Sequence, residues 1–140
     1  MKLDLTSLKD ALRALEKAIH SYHSLSQNTS LTPDDIETVK SGVIQNFEVA
    51  YEQCWKFMKR WLEVNIGADT ADGVTRRELY RLSAENRLIA DVDEWMEYHI
   101  SRNLTSHTYS ENNAETAFQA AVSFLPVAKD FLQRLEARND

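Results

Sequence analysis

Apolar residues recur at steps of three and four along most of this chain, which is the spacing of one face of an α-helix. A first helix is predicted from about Asp4 to Ser24, and a polar loop over residues 26–30 follows it. The apolar positions of this helix are Leu5, Leu8, Leu12, Leu15, Ile19 and Tyr22. They form a single stripe, which predicts an amphipathic helix.

The second predicted helix is long. Thr32 is suited to its N-cap and Pro33 to its first helical position, because the amide missing from proline would have no helical partner there. The helix is expected to end near Gly67. Its apolar stripe consists of Ile36, Val39, Val43, Phe47, Ala50, Cys54, Phe57, Met58 and Trp61.

Three further helices are predicted in the second half of the chain. A loop over residues 69–74 leads to a short third helix, from Arg76 to about Ala84. Asp91 is expected to cap the fourth helix, with Glu94 in a capping box, and Asn113 to cap the fifth. The apolar residues of the fourth helix are Val92, Trp95, Met96 and Ile100. The fifth helix is expected to bury Ala117, Phe118, Ala121, Leu125, Leu132 and Leu135.

These elements predict an all-α protein, an antiparallel bundle of about five helices with a four-helix up-down core and one short helix. Pro126 lies inside the fifth helix and is expected to kink it, because proline removes a backbone donor. Only 3 glycines and 2 prolines occur, too few for many hairpins. With 140 residues, the chain is expected to form a single domain over residues 1–140.

Charge and composition narrow the possible functions. The net charge of −6 argues against broad, non-specific binding of nucleic acid, which needs a basic surface. Two basic clusters depart from this average, Lys56, Lys59 and Arg60 in one and Arg76, Arg77 and Arg81 in the other. Glutamates interleave with both clusters, so a solvated helix surface is the favoured interpretation of each.

Cys54 is the only cysteine, so no internal disulfide and no cysteine-based metal cage can form. The first residues lack the apolar run of a signal peptide, and no segment is apolar and long enough to span a bilayer. We therefore expect a cytoplasmic protein with no membrane association, no metal site and no cofactor.

The segment from Arg102 to Tyr109, RNLTSHTY in one-letter code, is not explained by helix formation alone. It brings together an obligate cation, a carboxamide, a base that titrates near neutral pH and a phenol. A guanidinium fits phosphate oxygens, and an imidazole exchanges protons near neutral pH. The segment therefore indicates phosphodiester or nucleotide chemistry.

The spacing of Arg102 and His107 restricts how they act together. On a regular helix they would point about 140° apart, whereas Asn103 and His107 share a face. Either the helix ends within the segment, or Arg102 and His107 meet across a subunit interface. Metal-free RNA cleavage needs a base, an acid and a cation, which a two-fold dimer would supply. From these residues alone, a plainer interpretation is favoured, in which Arg102 pairs with an acid and His107 caps a carbonyl.

The segment 102–109 resembles the signature of HEPN domains, in the branch called nucleotidyltransferase substrate-binding proteins. Residues 45–52, followed by Trp55 and Lys56, are similar to the second-helix pattern of that branch. The likeness covers most of the chain, from the first helix to the fifth.

The residues before the fourth helix add to the resemblance and contain one departure from it. Leu88-Ile89-Ala90-Asp91, followed by Trp95, is similar to the family's sequence upstream of the motif. Asn86-Arg87, however, stands where that family often has a small residue and a glycine. The departure concerns the turn between the third and fourth helices and not the chemistry.

The resemblance implies a helical homodimer in which Arg102 and His107 of two chains share one cleft. It implies a metal-independent ribonuclease, a toxin of a toxin–antitoxin module, with Arg102 and His107 catalytic and Asn103 as a supporting polar group. The implied partner is a small, separately encoded nucleotidyltransferase, which in similar toxins transfers AMP to the tyrosine that matches Tyr109. In the alternative, the chain is a non-catalytic subunit that binds substrate or nucleotide for that transferase. RNA or a nucleotide is the implied ligand.

Overall fold

A computed structural model describes residues 1–108 and 110–140 of the chain. In chain order its helices are α1 (Thr6–Leu25), α2 (Pro33–Asn65), α3 (Arg76–Glu85), α4 (Val92–Leu104) and α5 (Glu111–Ala137), with a 3-10 turn (Thr105–His107) between α4 and α5. All regular structure within the described residues is helical, which confirms the all-α prediction. None of the described helices is long and apolar enough to cross a membrane.

The start of α2 follows from local sequence alone. The Thr32 hydroxyl accepts a hydrogen bond from the Asp35 amide at 3.1 Å, and the Asp35 carboxylate accepts one from the Thr32 amide at 2.9 Å. This capping box leaves Pro33 as the first helical residue, as predicted. At the start of α4, the Asp91 carboxylate accepts bonds from the amides of the second and third helical residues, so Asp91 is the N-cap as predicted. The reciprocal bond from the Asp91 amide to the Glu94 side chain, which the predicted capping box requires, is not among the bonds of the described residues.

Helix α2 contacts each of the other four helices, and the core forms around it. The aromatic centre of this core is Phe124 of α5. Its ring lies 5.3 Å from the ring of Phe47, 5.4 Å from Trp95 and 5.0 Å from Tyr98, measured between centroids. The Cys54 thiol is fully buried in the same core, and burial raises its pKa, so it is an unreactive packing group.

Two predictions for α5 are wrong. The helix begins at Glu111 with Ser110 as N-cap, not at Asn113, because the Ser110 hydroxyl accepts a bond from the Asn113 amide at 3.4 Å. The core-facing stripe is also shifted by one position. The fully buried residues of its second half are Phe124, Ala128, Phe131 and Leu135, whereas Leu125 and Leu132 are only partly buried. The helix continues through Pro126 without interruption. The kink expected there stays a prediction.

The turn between α3 and α4 contains Asn86-Arg87, where the family that the sequence resembles often has a small residue and a glycine. Arg87 has φ 62°, in the left-handed region that favours glycine. The Arg87 amide donates to Ala84 at 3.0 Å and the Leu88 amide to Ser83 at 2.9 Å. This pair of bonds is a Schellman motif, and it leaves Leu88 completely buried behind the turn. Arginine therefore holds a strained backbone conformation that the buried leucine keeps in place.

Candidate functional site

The end of α4 falls inside the segment 102–109. The α-helix stops at Leu104, and residues 105–107 form a single 3-10 turn. The Thr105 hydroxyl donates to the Arg102 carbonyl at 2.7 Å and accepts from the Arg102 guanidinium at 3.1 Å. The regular helix therefore ends between Arg102 and His107, as the first alternative expected, and a meeting of the two residues across a subunit interface stays a prediction.

The Arg102 guanidinium lies against two carboxylates of α2. Its Nη1 is 3.8 Å from Glu48 Oε2, and its Nε is 3.5 Å from Glu52 Oε1. The Nε atom is buried, and its geometry gives it no hydrogen bond within the described residues. About a quarter of the side chain (26%) stays exposed. Arg102 therefore pairs with acids, as the plainer interpretation of the sequence expected, and still presents part of its side chain to solvent.

Asn103 and His107 are exposed at the same end of α4. The His107 carbonyl accepts a bond from the Asn113 side chain at 3.0 Å, and the Asn103 carbonyl accepts one from the Ser106 hydroxyl at 2.9 Å. These bonds fix the backbone that carries both side chains. Tyr109, the expected modification site, lies outside the described residues.

An acidic groove of about 530 Å³ lies beside the segment, between α2 and the start of α5. Its charged residues are Glu37, Lys40, Glu48, Glu111 and Glu115. The Lys40 ammonium donates to Glu115 at 2.6 Å, which raises the pKa of Lys40. The groove contains four carboxylates and one lysine, which is already paired with Glu115. Its net negative charge therefore disfavours the binding of a phosphate.

Sequence reasoning missed Glu48, Glu52 and Thr105 as parts of this site. Glu48 and Glu52 lie four residues apart and so share a face of α2, which is a signal that the sequence contains. Only the packing of α2 against α4 shows that this face meets Arg102. No group of three or more His, Cys, Asp or Glu side chains is arranged for a metal ion among the described residues.

With its helical fold and the polar end of α4 described, the chain can be placed among known proteins. A family model described as nucleotidyltransferase substrate binding protein like matches residues 3–137. The chain belongs to this family, and the recognition made from the segment 102–109 is confirmed.

Particular relatives support the same placement. The chain is 32% identical to a Haemophilus influenzae protein named probable ribonuclease HepT, over 99% of this chain and 95% of that protein. A solved Haemophilus influenzae structure, described as the fold of a substrate binding domain of a nucleotidyltransferase, is 28% identical with a TM-score of 0.88. That match covers 95% of this chain and 99% of the other. A crystal structure from Thermus thermophilus is 25% identical with a TM-score of 0.63, over 86% and 98% of the two chains.

Proposed function

We propose that this protein is the HEPN subunit of a two-component nucleotidyltransferase/HEPN system and acts as a metal-independent toxin ribonuclease. The observation that carries the proposal is the end of α4, where Arg102 contacts Thr105, Glu48 and Glu52 and where Asn103 and His107 are exposed. The relative named probable ribonuclease HepT supports the same activity.

The proposed reaction is an internal transesterification of RNA. An imidazole of His107 takes the proton of a 2′-hydroxyl, whose oxygen attacks the neighbouring phosphorus. A second imidazole protonates the departing 5′-oxygen, which leaves a 2′,3′-cyclic phosphate and a 5′-hydroxyl. Arg102 stabilises the charge that gathers on the phosphorane, and Asn103 supplies an additional hydrogen bond. Glu48 and Glu52 orient the guanidinium rather than touch the substrate.

The acid and the base are both assigned to His107, one from each of two chains, so a homodimer is part of the proposal. Ile100 and Val49 are large apolar side chains that are 59% and 50% exposed, and they lie on the two helices that carry Arg102 and its acidic partners. A two-fold interface would cover such residues. Light scattering at micromolar protein should give the mass of two chains, and a monomer at all concentrations would contradict the proposed arrangement.

Single alanine variants of Arg102 and His107 test the ribonuclease. Each should lose at least about 100-fold in cleavage rate, the usual contribution of a positioned acid or base. The helical circular dichroism should not change, because neither side chain belongs to the core.

Arg13→Ala and His20→Ala on the surface of α1 are matched controls and should cleave at the wild-type rate. The wild-type rate should be unchanged by EDTA. Retained cleavage in the Arg102→Ala, His107→Ala double variant would place the activity elsewhere.

A second candidate function is a non-catalytic subunit that binds substrate or nucleotide for the transferase. The net charge of −6 and the pairing of Arg102 with two carboxylates favour it, because both weaken the attraction for RNA. Expressing the chain alone separates the two functions. Growth arrest that Arg102→Ala abolishes supports the ribonuclease, and normal growth together with nucleotide binding supports the second candidate.

Regulation by the partner is proposed to act on Tyr109. Its phenol oxygen attacks the α-phosphorus of ATP in the transferase, releasing pyrophosphate and the phenolic proton. The attached AMP carries one negative charge that competes with the RNA phosphate for Arg102. After co-expression with the transferase, the peptide that contains Tyr109 should gain the mass of one adenylyl group. Tyr109→Phe should remain toxic in the presence of the transferase, and full neutralisation of this variant would assign control to another residue or to complex formation.

A further inference from the structure

A second groove, with a volume of about 400 Å³, lies where α2, the start of α3 and α4 meet. We refer to it as the Trp55 groove. It is lined by Trp55, Lys59, Ala71, Gly73, Val74, Thr75, Arg76, Leu79 and His99. The basic residues that face it come from the two clusters noted in the sequence, which the fold brings together. Unlike the acidic groove, its lining contains no carboxylate among the described residues.

Arg76 is held in this groove by an aromatic ring. Its guanidinium carbon lies 3.8 Å from the centroid of the Trp55 ring. Within the described residues Arg76 forms no ion pair, and its buried Nε makes no hydrogen bond. The other two arginines of α3 differ, since Arg77 pairs with Asp93 at 3.2 Å and Arg81 with Glu78 at 2.8 Å. Stacking therefore orients Arg76 while its hydrogen-bond donors stay unused.

Two lysines and the N-terminus of α3 add to the positive charge around the Trp55 groove. Lys59 is weakly paired, with its ammonium 3.9 Å from Glu63. Lys56 places its ammonium 5.8 Å from the Trp55 ring. Thr75 caps α3 by accepting from the Glu78 amide at 3.2 Å, so the positive end of that helix also faces the groove.

His99 supplies the remaining polar surface of the groove. Burial and the neighbouring Arg76 lower its pKa, against an opposing effect of Glu52, which favours the neutral imidazole. Its Nδ1 lies 3.0 Å from the Tyr51 hydroxyl, which fixes the ring against α2. His99 therefore adds a hydrogen-bonding group to the groove without repelling the guanidinium beside it.

The Trp55 groove is connected to Arg102 through Glu52. One carboxylate oxygen of Glu52 accepts from the Trp55 indole at 3.0 Å, and the other lies 3.5 Å from the Arg102 Nε. His99 precedes Arg102 by three residues on α4, which places the two one helical turn apart. The Trp55 groove therefore lies next to Arg102, with Glu52 in contact with a residue of each.

We infer that the Trp55 groove binds a phosphate group of a nucleotide or of single-stranded RNA, with Arg76 as its main ligand and Lys59 as the second. The role of the groove rests on the proposed ribonuclease function. In that role the groove would hold the RNA phosphate adjacent to the scissile phosphate at Arg102. The chemistry is that of a stacked guanidinium with unused donors, which binds phosphate oxygens in pairs. A strand bound here approaches the candidate catalytic residues along the basic side of an otherwise acidic protein.

Fluorescence anisotropy with a labelled 2′-O-methyl RNA oligonucleotide tests the inference in the full-length protein. This RNA has no 2′-hydroxyl to attack, so binding is measured without cleavage. Arg76→Ala should weaken binding by about tenfold or more, because charge-assisted bonds to a phosphate are lost. It should also lower the slope of log affinity against log salt by about one. Arg77→Ala is the matched control, with the same change of charge on the adjacent residue, and should change the affinity less than about twofold.

Two further measurements keep the outcome interpretable. Arg76→Lys retains the charge but loses the planar fork, so it should restore only part of the affinity, and its thermal unfolding shows whether the fold is intact. Titration with ATP distinguishes the sources: a loss for RNA alone in Arg76→Ala assigns the groove to a strand, and a loss for ATP assigns it to a free nucleotide. Equal effects of Arg76→Ala and Arg77→Ala, or no effect of either, would overturn the inference. Because no cleavage is measured, loss of binding in Arg76→Ala stands even where the ribonuclease proposal fails.

Discussion

The Tyr51 hydroxyl joins the buried hydroxyl of Tyr80 to the half-buried imidazole of His99, and its removal should have an unusually large effect for so small a change. Tyr51 and Tyr80 are 1% and 0% exposed, and their hydroxyls share a hydrogen bond. The same Tyr51 hydroxyl is 3.0 Å from His99 Nδ1. Burial raises the pKa of Tyr51 to about 12, so the hydroxyl stays protonated and keeps its hydrogen. Tyr51→Phe removes one oxygen and breaks both contacts.

The size of the loss in the free energy of unfolding depends on which buried groups lose their hydrogen-bond partner. Tyr51→Phe leaves the Tyr80 hydroxyl buried without its bond, which costs about 1–3 kcal/mol, and removes the bond to His99, which costs about 1 kcal/mol more. We therefore expect a loss of about 2–4 kcal/mol in the free energy of unfolding. Tyr80→Phe leaves the Tyr51 hydroxyl bonded to His99, so its cost should be only about 0.5–1.5 kcal/mol. In the double variant no tyrosine hydroxyl is left buried without a hydrogen-bond partner. The loss in the free energy of unfolding should therefore be smaller than that of Tyr51→Phe alone.

Urea unfolding followed by circular dichroism measures these differences. The protein concentration must be the same for each variant, because the stability of a dimer depends on it. Tyr22→Phe is the control, since the Tyr22 hydroxyl makes no hydrogen bond within the described residues; its cost should stay within about 0.5 kcal/mol. A Tyr51→Phe loss no larger than that of Tyr80→Phe, or a double variant that costs the sum of the two, would refute the reasoning.

Three smaller predictions concern the turn, the last helix and pH. Arg87→Gly should raise the free energy of unfolding by about 0.5–1 kcal/mol in urea titrations, because glycine adopts the observed φ of 62° without steric cost; a lower stability would contradict this. Ser110→Ala should cost about 1 kcal/mol in thermal unfolding, because the Asn113 amide loses its acceptor, and an unchanged midpoint would mean that solvent replaces the bond. The pKa of His99 is lowered in the folded protein, so the unfolded chain binds the proton first as pH falls below about 6.5, and stability should decrease there. His99→Gln should reduce this decrease between about pH 7.5 and pH 5.5, and an identical pH profile would show that other groups cause it.

Much of the helical architecture could be predicted because its causes are local. The spacing of apolar residues determined α1 and α2, and the pair Thr32-Pro33 determined where α2 begins. The same local signals failed in α5. There, apolar residues stand next to each other at positions 124–125 and 131–132, so periodicity alone left two possible buried faces. Tertiary packing selected the face with the phenylalanines, whose large rings fill the centre of the bundle.

The chemistry of the site divides in the same way. The sequence alone identified the family and singled out Arg102 and His107, because their spacing together with Tyr109 and the second-helix pattern of residues 45–52 is specific enough to be recognised in a linear pattern. It left open where the helix ends, and it did not indicate that Glu48 and Glu52 hold Arg102 or that Arg76 stacks on Trp55. Those contacts join residues of different helices, and their energies depend on distance and burial, which exist only after the helices have packed. The sequence therefore determined which groups are present, and the tertiary structure decided which of them face one another.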